Sequence, residues 1–153
     1  MANLQALKAE LDAGHPVTGA YSANSEAAAE EINAPNRTRI NAIGSAELLA
    51  WSGQSSSGDR PRIIKIEEGK ANADEQCAAL CITAEQMIMR DNTSLDLNLP
   101  DRVAMLNALV AYGVLSAADK ASIDALAEES ISRADELSLG SVRAGTIEQA
   151  RSL

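Results

Sequence analysis

Phenylalanine is absent from this sequence, and the aromatic side chains present are one Trp and two Tyr among 153 residues. A core must therefore come from Leu, Ile, Val, Met and much Ala, which allows close helix approach but buries little area per residue. Stability is expected to lean on neighbouring subunits. Histidine occurs once, as His15 between Gly14 and Pro16, so the commonest general base and metal ligand has no second copy. Cys77 and Cys81 with that distant histidine fall short of the four ligands of a structural zinc site. The two cysteines lie four apart in a predicted helix, where they share a face but point along it, and they read as buried thiols rather than a disulfide.

Positive charge is also scarce, with 13 Lys and Arg against 22 Asp and Glu, a net charge of -9. That balance argues against a phosphate-backbone binder, whose affinity depends on cations displacing counterions, and disfavours anionic membranes. No stretch approaches the roughly 20 apolar residues of a membrane-spanning helix. The first residues, MANLQALKAELDAG, are amphipathic and lack the apolar centre of a signal peptide, so the chain is expected to be made in a cytoplasm and kept there or packed into something assembled there. A Gly-rich phosphate loop is missing. The run from Gly53 to Gly58 lacks the G-x-S-x-G spacing of a nucleophile elbow, and Asp91 to Arg102 lacks the central glycine and closing glutamate of a calcium loop. The paired acids Glu30-Glu31, Glu67-Glu68, Glu128-Glu129 and Asp135-Glu136 read as solvated surface. Neither catalysis nor a cofactor is expected.

With 46% hydrophobic and 23% charged residues the chain should fold, and its length suits one domain spanning residues 1–153. The class expected is mainly α, with at most a small two-stranded β element. A helix is predicted from about Asn3 to Ala13, striped by Leu4, Leu7 and Leu11 and stopped by Gly14 and by His15-Pro16. A second, capped by Asn24 or Ser25, carries Ala27, Ala28 and Ile32 inward and ends at Pro35. The basic stretch NRTRINAIG reads as irregular. A short helix capped by Ser45 then carries Leu48, Leu49 and Trp51 to Gly53.

Residues 53–62, GQSSSGDRPR, are turn-rich and read as a flexible arm. RIIKIE, at Arg62 to Glu67, is β-branched and reads as a strand, with SLDLNL at Ser94 to Leu99 as its partner across an intervening helix. That helix is predicted from about Ala73 to Arg90, capped by Asn72, with Cys77, Leu80, Cys81, Ala84, Met87 and Ile88 on one stripe. From about Pro100 to Gly140 two helical patterns meet at Gly113. Val114 and Leu115 form an apolar plug, and Ser116 with Asp119 forms a capping box, which makes an αα-hairpin. A second such signature, Ser132 with Asp135, marks a break near Ser130 to Ser132. Gly140 and Gly145 punctuate the end, with Thr146 as the cap of a last short helix carrying Ile147 and Ala150.

A helix-turn-helix DNA reader has a similar outline, but the helix after Ser116 would present Asp119, Asp124, Glu128 and Glu129 to phosphates. Positive charge lies instead in Arg37, Arg39, Arg60, Arg62 and Lys65. The segment from about Gly53 to Glu67 is accordingly expected to reach across a subunit interface that also takes Arg37 and Arg39, with Arg60, Arg62 and Lys65 facing carboxylates of a neighbour and Ile63, Ile64 and Ile66 supplying buried area.

LKAELDAGHPVTGAYS and AAAEEINAPNRTR near the start, and LNALVAYGVLSAADKASIDALAEESISRADELSLGSVRAGTIEQAR at the end, carry a resemblance to a family of small virion structural proteins of tailed bacteriophages. The resembling positions are Gly14, Pro16, Tyr21, Asn36, Arg37 and Arg39, then Gly113, Ser132, Arg133, Glu136, Leu137, Gly140, Gly145, Ala150 and Arg151. Gly53 to Arg90 has no part in it. Where family members tend to read ELGLG, this chain has Glu136-Leu137-Ser138-Leu139-Gly140. The resemblance implies a non-enzymatic virion component acting through protein contacts. Among such components tail tubes, tail terminators and many decoration proteins are β-rich while small connectors are often helical, so fold class points to a head-to-tail connector or neck subunit. Implied partners are portal, stopper or tail proteins and further copies of itself, with acidic surface facing solvent or, in a ring, a DNA channel. The alternatives are a minor capsid or tail accessory protein, and a regulatory protein that binds a host protein or DNA.

Overall fold

The computed structural model describes residues 3–55, 59–90 and 94–153. The fold is mainly helical with one small two-stranded antiparallel sheet. The chain gathers into two compact units, residues 40–128 and a second made from both ends, 1–39 with 129–153.

In the unit built from the ends, α1 (Leu4–Ala13) begins where Asn3 accepts the Ala6 N–H and stops at Gly14, whose N–H returns to Glu10 O. Asn24 caps α2 (Ser25–Asn33) by accepting the N–H groups of Glu26 and Ala27. Strand β1 (Arg37–Ile40) pairs with β2 (Glu128–Ile131), and the unit closes with α8 (Arg133–Glu136) and α9 (Ala144–Arg151). Leu7, Ala28, Ile32, Ala134, Leu139, Val142, Ile147 and Ala150 form its core. The stretch expected to be irregular is thus a strand at Arg37–Ile40, because an acidic strand from far along the chain supplies the ladder that no local pattern announces. Thr146 does not cap α9. The Thr146 and Ile147 N–H groups donate to Arg143 O, which puts Arg143 at the cap and Gly145 inside the first turn.

The central unit comprises α3 (Ser45–Ser52), α4 (Arg62–Gly69), α5 (Glu75–Met89), α6 (Pro100–Ala111) and α7 (Ala117–Ala127). Gly44 rather than Ser45 occupies the cap of α3. Asp74 rather than Asn72 caps α5, accepting from Gln76 and Cys77, while Asn72 accepts the Asp74 N–H one step earlier. Ile43, Leu48, Trp51, Ile66, Cys77, Cys81, Leu95, Leu106, Leu109, Leu115 and Ile123 fill this core. Leu126 on α7 is exposed.

The predicted strand at Arg62–Glu67 is the helix α4, and it has no β partner. A strand would place Arg62, Ile64 and Ile66 on one face. The structure instead buries Arg62 and Ile66, one helical turn apart, and leaves Ile64 exposed, so tertiary burial overrides β-branched preference. Gly69 ends this face over Cys81, where an added Cβ would run into the sulfur. Ser94–Leu99 does not pair with that segment either. Leu95 bridges to Ile43 through bonds of 2.8 and 2.9 Å, and Asp96 then accepts the Asn98 N–H and turns the chain. The expected arm falls partly outside the described residues, at 56–58, and beside that gap the Arg62 N–H donates to Gln54 O at 3.0 Å.

Two helices end alike. In the hairpin, the Val114 N–H reaches back to Leu109 O and the Gly113 N–H to Val110 O, with Gly113 at φ 75°. After α8, the Leu139 N–H reaches Ala134 O and the Ser138 N–H Asp135 O, with Ser138 at φ 55°. Both are Schellman ends with a buried apolar residue just beyond, Val114 and Leu139. Glycine accepts the left-handed conformation freely, whereas serine there costs about 1 kcal/mol. The two positions should therefore respond oppositely. Gly113→Val is expected to lower stability by about 1–3 kcal/mol and Ser138→Gly to raise it by about 1 kcal/mol. Denaturant titration of both variants checks this, and equal shifts of the same sign would refute the two turn assignments.

Candidate functional site

The cations expected at an interface separate into three groups. Arg62 is buried and donates Nε–H to Asp119 Oδ1 at 2.8 Å and Nη1–H to the Trp51 carbonyl at 2.9 Å, with its guanidinium 4.7 Å from the centre of the Trp51 ring. Lys65 donates to Asp119 Oδ2 at 2.8 Å and to Asp59 at 2.7 Å. Asp119 itself, fully buried, also accepts the Ser116 N–H in the capping box of α7. Arg62, Lys65 and the core residue Ile66 are thus engaged within their own chain. The predicted facing of a neighbour's carboxylates is replaced by an internal one, since a buried guanidinium needs its counter-charge at contact distance.

Arg37 and Arg39 form the second group, on β1. Arg37 clamps Glu136 through Nε at 2.9 Å and Nη2 at 3.1 Å, and Arg39 reaches Glu129 at 2.6 Å. Arg60, in the third, is exposed and pairs with Glu68. Ile63 is half-buried against the central core, and Ile64 faces solvent.

A second polar centre, absent from the predicted set, joins the two ends of the chain. Glu10 on α1 is buried and accepts both Nε–H and Nη2–H of Arg133 at 2.9 Å, together with the Tyr21 hydroxyl at 2.9 Å. Arg133 continues to Glu136 at 2.7 Å. The guanidinium hydrogen bonds hold the Glu10 carboxyl below the usual range against the opposing effect of burial, and burial followed by the Glu10 contact pushes the Tyr21 hydroxyl up. Arg37 and then Arg133 lower Glu136 to about 2. Glutamates at 10 and 136 set against arginines at 37 and 133 are the sequence signal for this centre, but nothing local ties residues so far apart.

His15 lies beside this centre, buried, with its ring edge-on to Tyr21 at 5.8 Å. Its Nδ1 accepts the N–H groups of Val17 and Thr18, and so it acts as the linchpin of the loop that begins at Gly14 and Pro16. Cys77 and Cys81 are fully buried on α5, and burial pushes the Cys81 thiol up to about 11, which keeps it unreactive. Among the described residues no group of three or more His, Cys, Asp or Glu side chains is placed to hold a metal ion. No helix is long and apolar enough to cross a membrane among those residues. A partly apolar groove between α3 and α7 is lined by Ala50, Trp51, Ala125 and Leu126.

Two measurements probe these centres. Asp119→Ala leaves Arg62 and Lys65 without their shared counter-charge and the Ser116 N–H without its acceptor, so a loss of about 3–5 kcal/mol in denaturant unfolding is expected, with a smaller loss for Asp119→Asn. A loss below 1 kcal/mol for Asp119→Ala, by the same measure, would contradict the network. For Glu136 the folded value lies below the unfolded one, so its stabilisation is complete above the ordinary 4.5 and is lost as pH falls from there toward about 2. Glu136→Gln is expected to lower the melting temperature at neutral pH and to flatten its fall over that interval. Parallel pH profiles for the two proteins would show that Glu136 is not the group responsible. Compared with protein-family models, with curated proteins and with solved structures, the chain matches none.

Proposed function

We propose that this chain is a structural protein of a tailed-bacteriophage virion, a head-to-tail connector or neck subunit that works through contacts with itself and with portal, stopper or tail proteins. The observation that carries the reading is where the resembling residues fall. Gly14, Pro16, Tyr21, Asn36, Arg37 and Arg39 come from one end of the chain, and Ser132, Arg133, Glu136, Leu137, Gly140, Gly145, Ala150 and Arg151 from the other. All of them belong to the one unit made of residues 1–39 and 129–153, with Gly113 the exception.

Within that unit they meet one another. Arg37 pairs with Glu136, Tyr21 shares Glu10 with Arg133, and Arg151 donates to the carbonyls of Ser22 and Ala23. A chance likeness of composition would scatter such positions, whereas a shared scaffold gathers them. Ser138 points the same way. It stands where family members tend to carry glycine, and it holds the left-handed conformation that glycine adopts without strain, at φ 55°. The roles these residues take are structural, as a non-enzymatic assembly subunit requires.

Mass spectrometry of purified virions of the phage that encodes this chain tests the reading. The expected result is the intact chain at a fixed number of copies per portal. Its absence from infectious particles would overturn the proposal.

A further inference from the structure

His15, the one histidine of the chain, is 3% exposed. It opens a tight loop. Its own N–H donates to Gly19 O at 2.7 Å and its carbonyl accepts the Gly19 N–H at 2.9 Å, with Pro16, Val17 and Thr18 exposed between them. Inside that loop Nδ1 accepts the N–H groups of Val17 at 3.0 Å and Thr18 at 3.2 Å. An imidazole nitrogen that accepts carries no hydrogen, so these bonds assign the neutral tautomer with its hydrogen on Nε2. Nε2 is buried and has no hydrogen-bond partner among the described residues. One nitrogen of the ring thus holds the loop shut while the other is left unsatisfied, a cost that opening would relieve.

A proton added at Nδ1 would point at two N–H groups fixed by the backbone. Both bonds would be lost and a cation left in a buried place. We infer that residues 14–20 form a proton-operated latch, shut while His15 is neutral and released when its ring takes up a proton.

The groups around the ring leave this response to His15. Glu10 of α1 is near enough to attract an imidazolium, but its carboxylate already receives the Nε–H and Nη2–H of Arg133 from α8 and the Tyr21 hydroxyl. Tyr21 meets the imidazole edge-on at 5.8 Å, and beyond it Glu31 of α2 accepts the Ser22 N–H at 3.2 Å. The Arg133 bonds hold the Glu10 carboxyl below the usual range, burial followed by Glu10 pushes the Tyr21 hydroxyl up, and Glu10 followed by Glu136 pushes Arg133 up. Those three groups therefore keep their charge states between about pH 8 and 5. The sign follows from the proton count. The released loop binds a proton that the closed loop excludes, so closure is complete above the ordinary histidine range, about 6.5, and is lost as pH falls below it.

This inference goes beyond the proposed function and does not depend on it. Solution NMR of the full chain tests it. At pH 8 the His15 ring is expected to carry its hydrogen on Nε2 with Nδ1 bare. From pH 8 to 5 the Val17 and Thr18 amide signals are expected to move in step with protonation of His15. Their hydrogen-exchange protection, corrected for the intrinsic pH dependence of exchange, is expected to fall by about tenfold or more. His15→Asn places an oxygen the same number of bonds from Cα as Nδ1, where it accepts the same two N–H groups and does not titrate, so a closed loop without the pH response is expected. His15→Phe removes the acceptor and is expected to show at pH 8 the released Val17 and Thr18 signals that the wild type shows at pH 5. A ring with its hydrogen on Nδ1 at pH 8, a His15 that takes up its proton while the Val17 and Thr18 signals stay in place, a ring still neutral at pH 5, or an undiminished pH response in His15→Asn would each overturn the inference.

Discussion

A buried carboxylate governs the central unit. Asp119 is fully enclosed, and an isolated charge in such a place would cost several kcal/mol. It is tolerated because Arg62, Lys65 and the Ser116 N–H all converge on its two oxygens. Those three partners come from α4 and from the turn that opens α7, so the ion pair fixes how the hairpin meets α4. Arg62 in turn lies over Trp51 and binds its carbonyl, which ties α3 into the same centre. An aromatic-poor core gains specificity this way, since few large side chains are available to lock the helices by shape.

The unit made from the chain ends uses the same device with more water around it. The bidentate Arg133–Glu10 pair, reinforced by Tyr21, connects residues more than a hundred positions apart. Asn33 adds a reciprocal pair of hydrogen bonds with Val142. By contrast, the exposed pairs Arg39–Glu129 and Arg60–Glu68 contribute little, because solvent screens them and ordering two long side chains offsets the attraction. The value of the Arg39–Glu129 pair lies in direction, since basic β1 beside acidic β2 favours their pairing.

Helix α5 is central to the packing of its unit. Its inner stripe carries the buried thiols, and Gly69 lets α4 approach closely enough to cover Cys81. Its outer face mixes the exposed Glu75, Gln76, Gln86 and Arg90 with Ile82 and Met89.

Several interactions that close within a few residues were legible from the sequence alone, although the caps of α3, α5 and α9 were not. The Gly113 turn, both Ser-x-x-Asp capping boxes, the stop at Gly14, the Asn24 cap and the core stripe of α5 depend on neighbours along the chain, and local chemistry decides them. Tertiary structure decided the rest. Arg62–Glu67 has the composition of a strand and became a helix because Asp119 and the core demand burial one helical turn apart at Arg62 and Ile66. Arg37–Ile40 carries no strand signal of its own and became one because Glu128–Ile131 lies alongside it. The Ser116–Asp119 cap was visible, but not the second task of Asp119, since a carboxylate's partners across the core are set by the packing of helices and leave no mark in the residues beside it.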